Sequence, residues 1–363
     1  MKYLFLFILL VHAIIHLAGF FHSTGLVKLS VLQLPLTPFA GRVSLVSSLA
    51  LIASLLLFVV GKQWWFGAWI AIVTSQIFIF MVWSESKAGT LVNVLILLVS
   101  LAAFFTNRFE QAFIKDAEQL VSEYADLPEK KISEEDLAKL PLPVRRYLLL
   151  SGAGTQAQVN LFSIRLSGEM RQKGKKGFPF VSVQYNAIRR PERLFFMKGK
   201  MWGITVPGYH KYVNGKAIMD IRLFGLFPVM YFDGPVLDKT ETVTWLNDCC
   251  MMAPLALTDP RFIWEPVNDT VAKVKVTVGA NTVGAELHFN REGMLADFYS
   301  TDRTEVNEMK NYLFSTPVTE WIMEGNIKRF KTGEGVWHYP EGPFSYGTFI
   351  NEGYTQNNQV HVD

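Results

Sequence analysis

Residues 270–290 read TVAKVKVTVGANTVGAELHFN, and their alternation decides the architecture of the larger part of the chain. Ala272, Val274, Val276 and Val278 alternate with Val271, Lys273, Lys275 and Thr277, and Val283, Ala285, Leu287 and Phe289 alternate with polar neighbours. A period of two with one apolar face predicts half-buried antiparallel strands. Gly279-Ala280-Asn281 between them predicts a hairpin.

Outward from this hairpin the same period recurs, predicting strands over 159–170, 178–188, 193–201, 210–213, 217–223, 295–300, 327–332 and 335–339, with a last one near 346–350. Turn signals at Asn214-Gly215, Glu292-Gly293 and Gly325-Asn326 separate several of them. So many strands in meander order predict a mainly antiparallel β domain, a curved sheet or half-open barrel, because a flat sheet that wide leaves long edges. One helix over 240–252 is predicted to cover it, capped by Asp238 with Glu241 and ended by Ala253-Pro254. Val243, Trp245, Leu246, Cys249 and Cys250 share its apolar arc, which puts Glu241, Thr244 and Asp248 in water or on a cavity wall. The apolar run 223–232 contains Gly225 and Pro228, which suits a loop that dips into lipid, lids a pocket or is simply buried, and not a regular strand.

The first third of the chain has a different character. Four uncharged apolar stretches lie between Lys2 and Lys28, Arg42 and Lys62, Lys62 and Glu85, and Lys87 and Arg108. About 20 apolar residues span a bilayer core of roughly 30 Å, so a bundle of four transmembrane helices is predicted over 3–21, 43–60, 64–83 and 90–105. Trp64, Trp65 and Trp83 stand at the interfacial positions. The first stretch is longer than a signal-peptide core and lacks a small-x-small cleavage site, which favours a retained anchor. Four crossings put both termini on one side, where Lys2, Lys62, Arg108 and Lys115 oppose Lys28, Arg42 and Lys87. Four basic residues against three tilt the termini and the β domain to the cytoplasmic face. His12 and His16 share a face of the first helix, where Gln76 and Asn93 of later helices are placed to hydrogen-bond them; haem or metal is the alternative.

Residues 107–152 read as a helical linker between a membrane domain, 1–106, and the β domain, 153–363. Phe109, Phe113, Ala117 and Leu120 form an apolar stripe suited to a bilayer surface or to the domain, Ser133 with Asp136 suits a helix start, and Pro128 marks a boundary near 127–132.

The chain is 50% hydrophobic and carries a formal charge of +3, with five basic residues and the single acid Glu85 over 1–105. The remainder is therefore close to neutral and offers no footprint for nucleic acid. The two cysteines, Cys249 and Cys250, are adjacent, which makes a disulfide between them strained and predicts two buried thiols. The sequence contains no GxSxG, glycine-rich phosphate loop, HExxH or CxxC. His210, Asp233, Asp248 and His338 are the residues from which an acid–base or metal site would have to be assembled.

Several short runs carry a resemblance: Gln184-Tyr185-Asn186, Pro191-x-Arg193-x-Phe195-x-Met197, Gly208-Tyr209-His210-x-Tyr212, Glu241-Thr242-Val243-Thr244, Asn247-Asp248-Cys249, Ala253-Pro254, Ser300-x-Asp302-Arg303 and Ser315-Thr316-Pro317. Together they resemble an uncharacterised family of bacterial membrane proteins in which four N-terminal helices precede a C-terminal domain of unknown function. The resemblance implies a multi-pass protein of the bacterial cell membrane and brings no catalytic residues with it. In outline the β domain also resembles the lipoprotein-carrier half-barrel, a curved antiparallel sheet whose concavity is filled by helices.

The expected function is a membrane-anchored binding or carrier domain for an apolar or amphiphilic, lipid-like ligand, with membrane lipid as its other partner. No cofactor and no metal are expected. Trp202, His210, Phe227, Trp245 and Asp248 are the expected ligand-binding residues. The alternatives are a membrane-bound enzyme with its site around His210 and Asp248, and an assembly scaffold with an exposed apolar patch in place of a cavity.

Overall fold

A computed structural model describes residues 2–28 and 34–362. The chain divides into two compact units, Met1–Phe109 with Phe224–Leu226, and Glu110–Leu223 with Phe227–Asp363.

The first unit is helical. It contains α1 (Lys2–Ser23), α2 (Pro38–Val59), α3 (Trp65–Met81), the single turn α4 (Trp83–Ser86) and the start of α5 (Gly89–Tyr124). By length and composition α1, α2 and α5 are long and apolar enough to cross a membrane, and α3 is an apolar helix of 17 residues. Small residues line the seam between α1 and α2, where Ser44 Oγ donates to the His16 carbonyl at 2.7 Å and Ser48 Oγ to that of Ala13 at 2.8 Å. Small hydroxyl side chains at such seams let helix backbones approach closely.

The fourth apolar stretch does not stop at Phe105, as its composition suggests, but continues as one helix of 36 residues to Tyr124. No proline or glycine interrupts 90–124, so nothing breaks the backbone ladder where the sequence turns polar. In the second unit the far end of α5 docks by the stripe expected of it: Phe113 stacks on Phe196 at 5.2 Å, and Asp116 accepts from Lys211 Nζ and Tyr209 Oη at 2.7 Å each. Two short helices follow, α6 (Glu134–Ala138), with Ser133 and Asp136 in a reciprocal capping box, and α7 (Leu142–Leu150), with a proline in its first turn.

The second unit is built on antiparallel strands: β1 (Leu161–Met170), β2 (Phe178–Ala187), β3 (Glu192–Met201), β4 (Ile204–Val213), β5 (Lys216–Leu223) and β6 (Phe227–Asp233) precede α8 (Pro235–Met252). After it come β7 (Ile263–Asn268), β8 (Val271–Val278), β9 (Asn281–Phe289), β10 (Leu295–Ser300), the pair β11 (Thr304–Glu305) and β12 (Lys310–Asn311), β13 (Leu313–Ser315), β14 (Val318–Glu324), β15 (Ile327–Tyr339) and β16 (Gly342–Gln356). Among the described residues fourteen strands make one sheet in the order β6-β5-β4-β3-β2-β1-β16-β15-β13-β10-β9-β8-β7, with β14 beside β15. It curls without closing: the turn after β8 meets the turn after β4, where Asn281 Nδ2 donates to the Gly215 carbonyl at 2.9 Å, yet β6 and β7 keep free edges.

Those two edge strands are where the sequence misleads. The run 223–232 is not a loop: Phe224 and Gly225, both with φ near +60°, turn the chain, and Phe227–Asp233 pairs with β5 across a bulge beside Pro228. Proline is tolerated there because an edge strand need not donate to a second neighbour, and Pro266 in β7 escapes recognition for the same reason. The glycines of β15 and β16 hide two strands of 13 and 15 residues behind what reads as three short pieces.

Helix α8 lies across the curled sheet, packing on β4, β5, β6, β9, β10 and β15. It begins at Pro235 behind Gly234, not at the expected Asp238 cap. Asp238 instead ties the helix to β5, accepting the Ala217 N–H at 2.7 Å. The predicted apolar arc is fully buried, with Val243, Trp245, Leu246, Cys249 and Cys250 at 0% exposure. Burial pushes both thiols up, which makes them packing groups and not nucleophiles.

Candidate functional site

The polar side of α8 faces a cavity of about 450 Å³ between the helix and the sheet, within the second unit. Strand register explains its wall. Gln184, Phe195, His210 and Met219 stand opposite one another on β2 to β5, and Asn186, Arg193, Tyr212 and Ala217 form the next row inward. On the other side of the Phe195 and His210 row, away from Arg193, Met197, Ile221 and Met230 continue the surface in apolar form. The wall therefore grades from a polar end to an apolar one.

The polar end is a closed network. Arg193 Nε donates to Asp248 Oδ2 at 2.8 Å and Nη1 to Glu241 Oε2 at 3.2 Å, while Nη2 donates to Gln184 Oε1 at 3.0 Å. Gln184 Nε2 and Asn186 Nδ2 also reach Asp248 Oδ2, at 2.7 and 3.1 Å. Burial pushes the Asp248 carboxyl up, and the Arg193 guanidinium with these two amides opposes that. Three donors on one oxygen, one of them cationic, are the surroundings of a carboxylate.

His210 sits between this network and the open part of the cavity. Burial, with the guanidiniums of Arg193 and Arg303, lowers its pKa to about 3, so its imidazole is neutral at physiological pH. Its ring lies edge-on to Phe195 at 5.5 Å. Across the cavity Arg303 lies over Phe314, 4.0 Å from the ring centroid.

The apolar part of the lining, which the exposed Arg171, Lys173 and Lys175 also border, is dominated by one residue type. Met170, Met197, Met219, Met230, Met251 and Met252 line the cavity, half of the twelve methionines in the chain. Phe178, Phe195, Trp337, Phe344 and Phe349 complete it. Unbranched thioether side chains repack at little cost, which suits a wall for a flexible apolar chain.

Of the five residues expected at the site, the structure brings two together, His210 and Asp248. Trp245 is on the opposite side of α8, donating to the Ala187 carbonyl at 3.0 Å and stacked on Phe262 at 5.8 Å, so it is a core residue. Trp202 is 88% exposed in the turn after β3, where its φ of 50° and that of Gly203 form the hairpin. Phe227 points outward from the edge strand β6 at 58% exposure. Asp233 is exposed, and His338 pairs with Ser315 Oγ at 2.9 Å away from the cavity. Among the described residues no group of three or more His, Cys, Asp or Glu side chains is placed to hold a metal ion. Arg193 and Arg303 complete the cavity's polar lining; the sequence signal for Arg193 is a cation on the otherwise apolar inward face of β3. A more open groove of about 640 Å³ along β7 to β10, lined by Trp264, Lys273, His288 and Tyr299, contains none of the five.

A search of curated proteins finds no match. Among solved structures, a crystal structure of a LolA superfamily protein from Nitrosomonas europaea aligns with 54% of this chain and 86% of that chain at 8% identity, with a TM-score of 0.27, too low to carry a structural inference. A family model described as DUF6544, a family of unknown function, matches residues 130–349, from the segment before α6 to the middle of β16, and the chain belongs to that family.

Proposed function

We propose that this protein is a membrane-anchored binding or carrier protein for an apolar or amphiphilic, lipid-like molecule. Residues 1–106 serve as the anchor, 107–152 as the connecting segment and 153–363 as the binding domain, on the cytoplasmic side that the flanking charges favour. The observation that carries the reading is the graded cavity under α8: a methionine and aromatic wall at one end, a guanidinium and amide network at the other. Its volume, about 450 Å³, falls within the roughly 300–1,000 Å³ of small-molecule sites.

The mechanism is burial. Each methylene moved from water to the methionine wall contributes about 0.8 kcal/mol, while the polar end fixes the orientation of the head. Glu241 and Asp248 are both engaged by Arg193, which leaves neither free to act as a general acid or base on a bound molecule.

Native mass spectrometry of the full chain released from lipid nanodiscs tests the reading. The expected result is a bound mass of a few hundred daltons that organic extraction removes and an added long-chain amphiphile restores. A protein that carries no such mass and takes up no added amphiphile would refute it.

A further inference from the structure

Three arginines line the cavity. Arg171 is exposed and pairs with Glu169 at 2.6 Å, and the other two, Arg193 and Arg303, are not equivalent. Arg193 is neutralised by two carboxylates. Arg303 comes from the turn between β10 and β11 and lies against aromatic faces, 4.0 Å from the Phe314 centroid, 5.3 Å from that of Trp337 and 5.6 Å from that of Tyr346. Its one hydrogen bond among the described residues runs from Nη1 to Tyr346 Oη at 3.1 Å, and its Nε is buried with no partner. No Asp or Glu of the described residues forms an ion pair with it.

Beyond Glu241 and Asp248 the acids that line the cavity are Glu305, Glu308 and Glu334; the first two are otherwise engaged, and among the described residues none of the three forms an ion pair with Arg303. Glu305 accepts from Asn307 Nδ2 at 2.6 Å and from the Glu308 N–H at 2.7 Å, and Glu308 accepts from Tyr312 Oη at 2.6 Å. Neutral His210 offers no compensating charge. A partly buried cation with an unused donor is costly, and an anion supplied from outside would satisfy both its charge and its hydrogen-bonding capacity. The aromatic faces hold the guanidinium plane in place for such a partner.

We infer that the cavity takes an amphiphile whose head group is an oxyanion, a carboxylate or phosphate, bound by the Arg303 guanidinium while its chain lies along the methionine wall. This rests on the amphiphile reading above and adds to it the sign of the head group and the residue that selects it.

The test compares cis-parinaric acid with the corresponding alcohol, titrated at neutral pH into the full chain in phosphatidylcholine nanodiscs, with empty nanodiscs subtracted. The wild type should bind the acid about tenfold or more tighter than the alcohol. Arg303→Gln should erase that preference by weakening the acid alone, and Arg303→Lys should restore part of it. Unchanged binding of the alcohol shows that the variant is folded. Equal binding of acid and alcohol by the wild type, or a preference that survives in Arg303→Gln, would overturn the inference and leave the amphiphile reading standing. Binding of neither would overturn both. Displacement of the acid by inorganic phosphate as effectively as by dodecyl phosphate would assign a free-anion site and overturn the amphiphile; displacement by dodecyl phosphate alone supports it.

Discussion

Among the described residues, the polar cluster buried around His12 and His16 in the first unit and the one around Arg193 and Asp248 in the second are built on different principles. In the helical unit His12 Nε2 lies 3.0 Å from Asn93 Oδ1 and 3.2 Å from Ser75 Oγ, and His16 Nε2 lies 2.8 Å from the same Ser75. Asn93 Nδ2 then donates to Gln76, whose Nε2 donates to Thr90 Oγ1, both at 3.1 Å. No buried side-chain nitrogen or oxygen of these residues is left without a partner. The cluster under α8 is equally well connected around Arg193 and Asp248, yet it borders a cavity and includes at Arg303 a buried donor with nothing to bind. The first cluster joins helices; the second leaves capacity for something that enters. A satisfied network specifies packing, and an unsatisfied donor in a native structure calls for a functional account.

This contrast can be broken most sharply at the Arg193–Asp248 pair. Asp248→Ala or Arg193→Ala strands a buried charge and should each cost about 3–5 kcal/mol, with the double variant costing less than the sum, as read by denaturant unfolding in detergent. Trp245→Ala should cost a similar amount, about 3–5 kcal/mol, through a core void, and its effect on binding should follow stability alone.

His210 sharpens the comparison through pH. Its folded pKa lies near 3, below the ordinary 6.5, so the unfolded chain takes up a proton first as the solution is acidified. Its contribution is neutral above about pH 6.5 and turns against the fold between there and pH 3. Asp248, whose pKa is raised, works in the opposite direction through its own window above the ordinary carboxylate value. The wild type minus His210→Gln difference in unfolding free energy should therefore grow more unfavourable to the wild type as pH falls through that range. A flat difference would contradict a neutral imidazole with a lowered pKa.

Smaller effects are expected in the helical unit. Asn93→Leu should destabilise by about 0.6–2 kcal/mol, the range of membrane hydrogen bonds, and leave uptake of amphiphile by the β domain unchanged. Loss of uptake there would erase the distinction between the two clusters. Trp202→Ser, at a position 88% exposed, should change stability by less than about 0.5 kcal/mol and not alter binding.

Much of the architecture was legible because periodicity survives local detail: the hairpin of β8 and β9, the strands β1 to β3 and the covering helix all follow from spacing. The edge strands are hard to see because Pro228 reads as a breaker and 263–268, with Pro266 inside it, shows no alternation, while the sheet order places both at edges, where proline is tolerated. The site was half legible. Asp248 and His210 stand out as polar residues in apolar contexts, whereas Trp202, Phe227 and Trp245 stand out only as aromatics, and aromatic identity does not say which side of a strand or helix is presented. The closing contacts of the network join Arg193 to residues 48 and 55 positions away, a distance over which a single sequence carries no pairing signal.

The most direct test of the cavity as a binding site is photolabelling. A long-chain amphiphile with a diazirine at its tail, photolysed on the full chain in nanodiscs and mapped by peptide mass spectrometry, should place adducts on the peptides that contain Met197, Met219, Met230 and Met251. Adducts confined to the apolar helices of residues 2–109, with none on those peptides, would contradict the account.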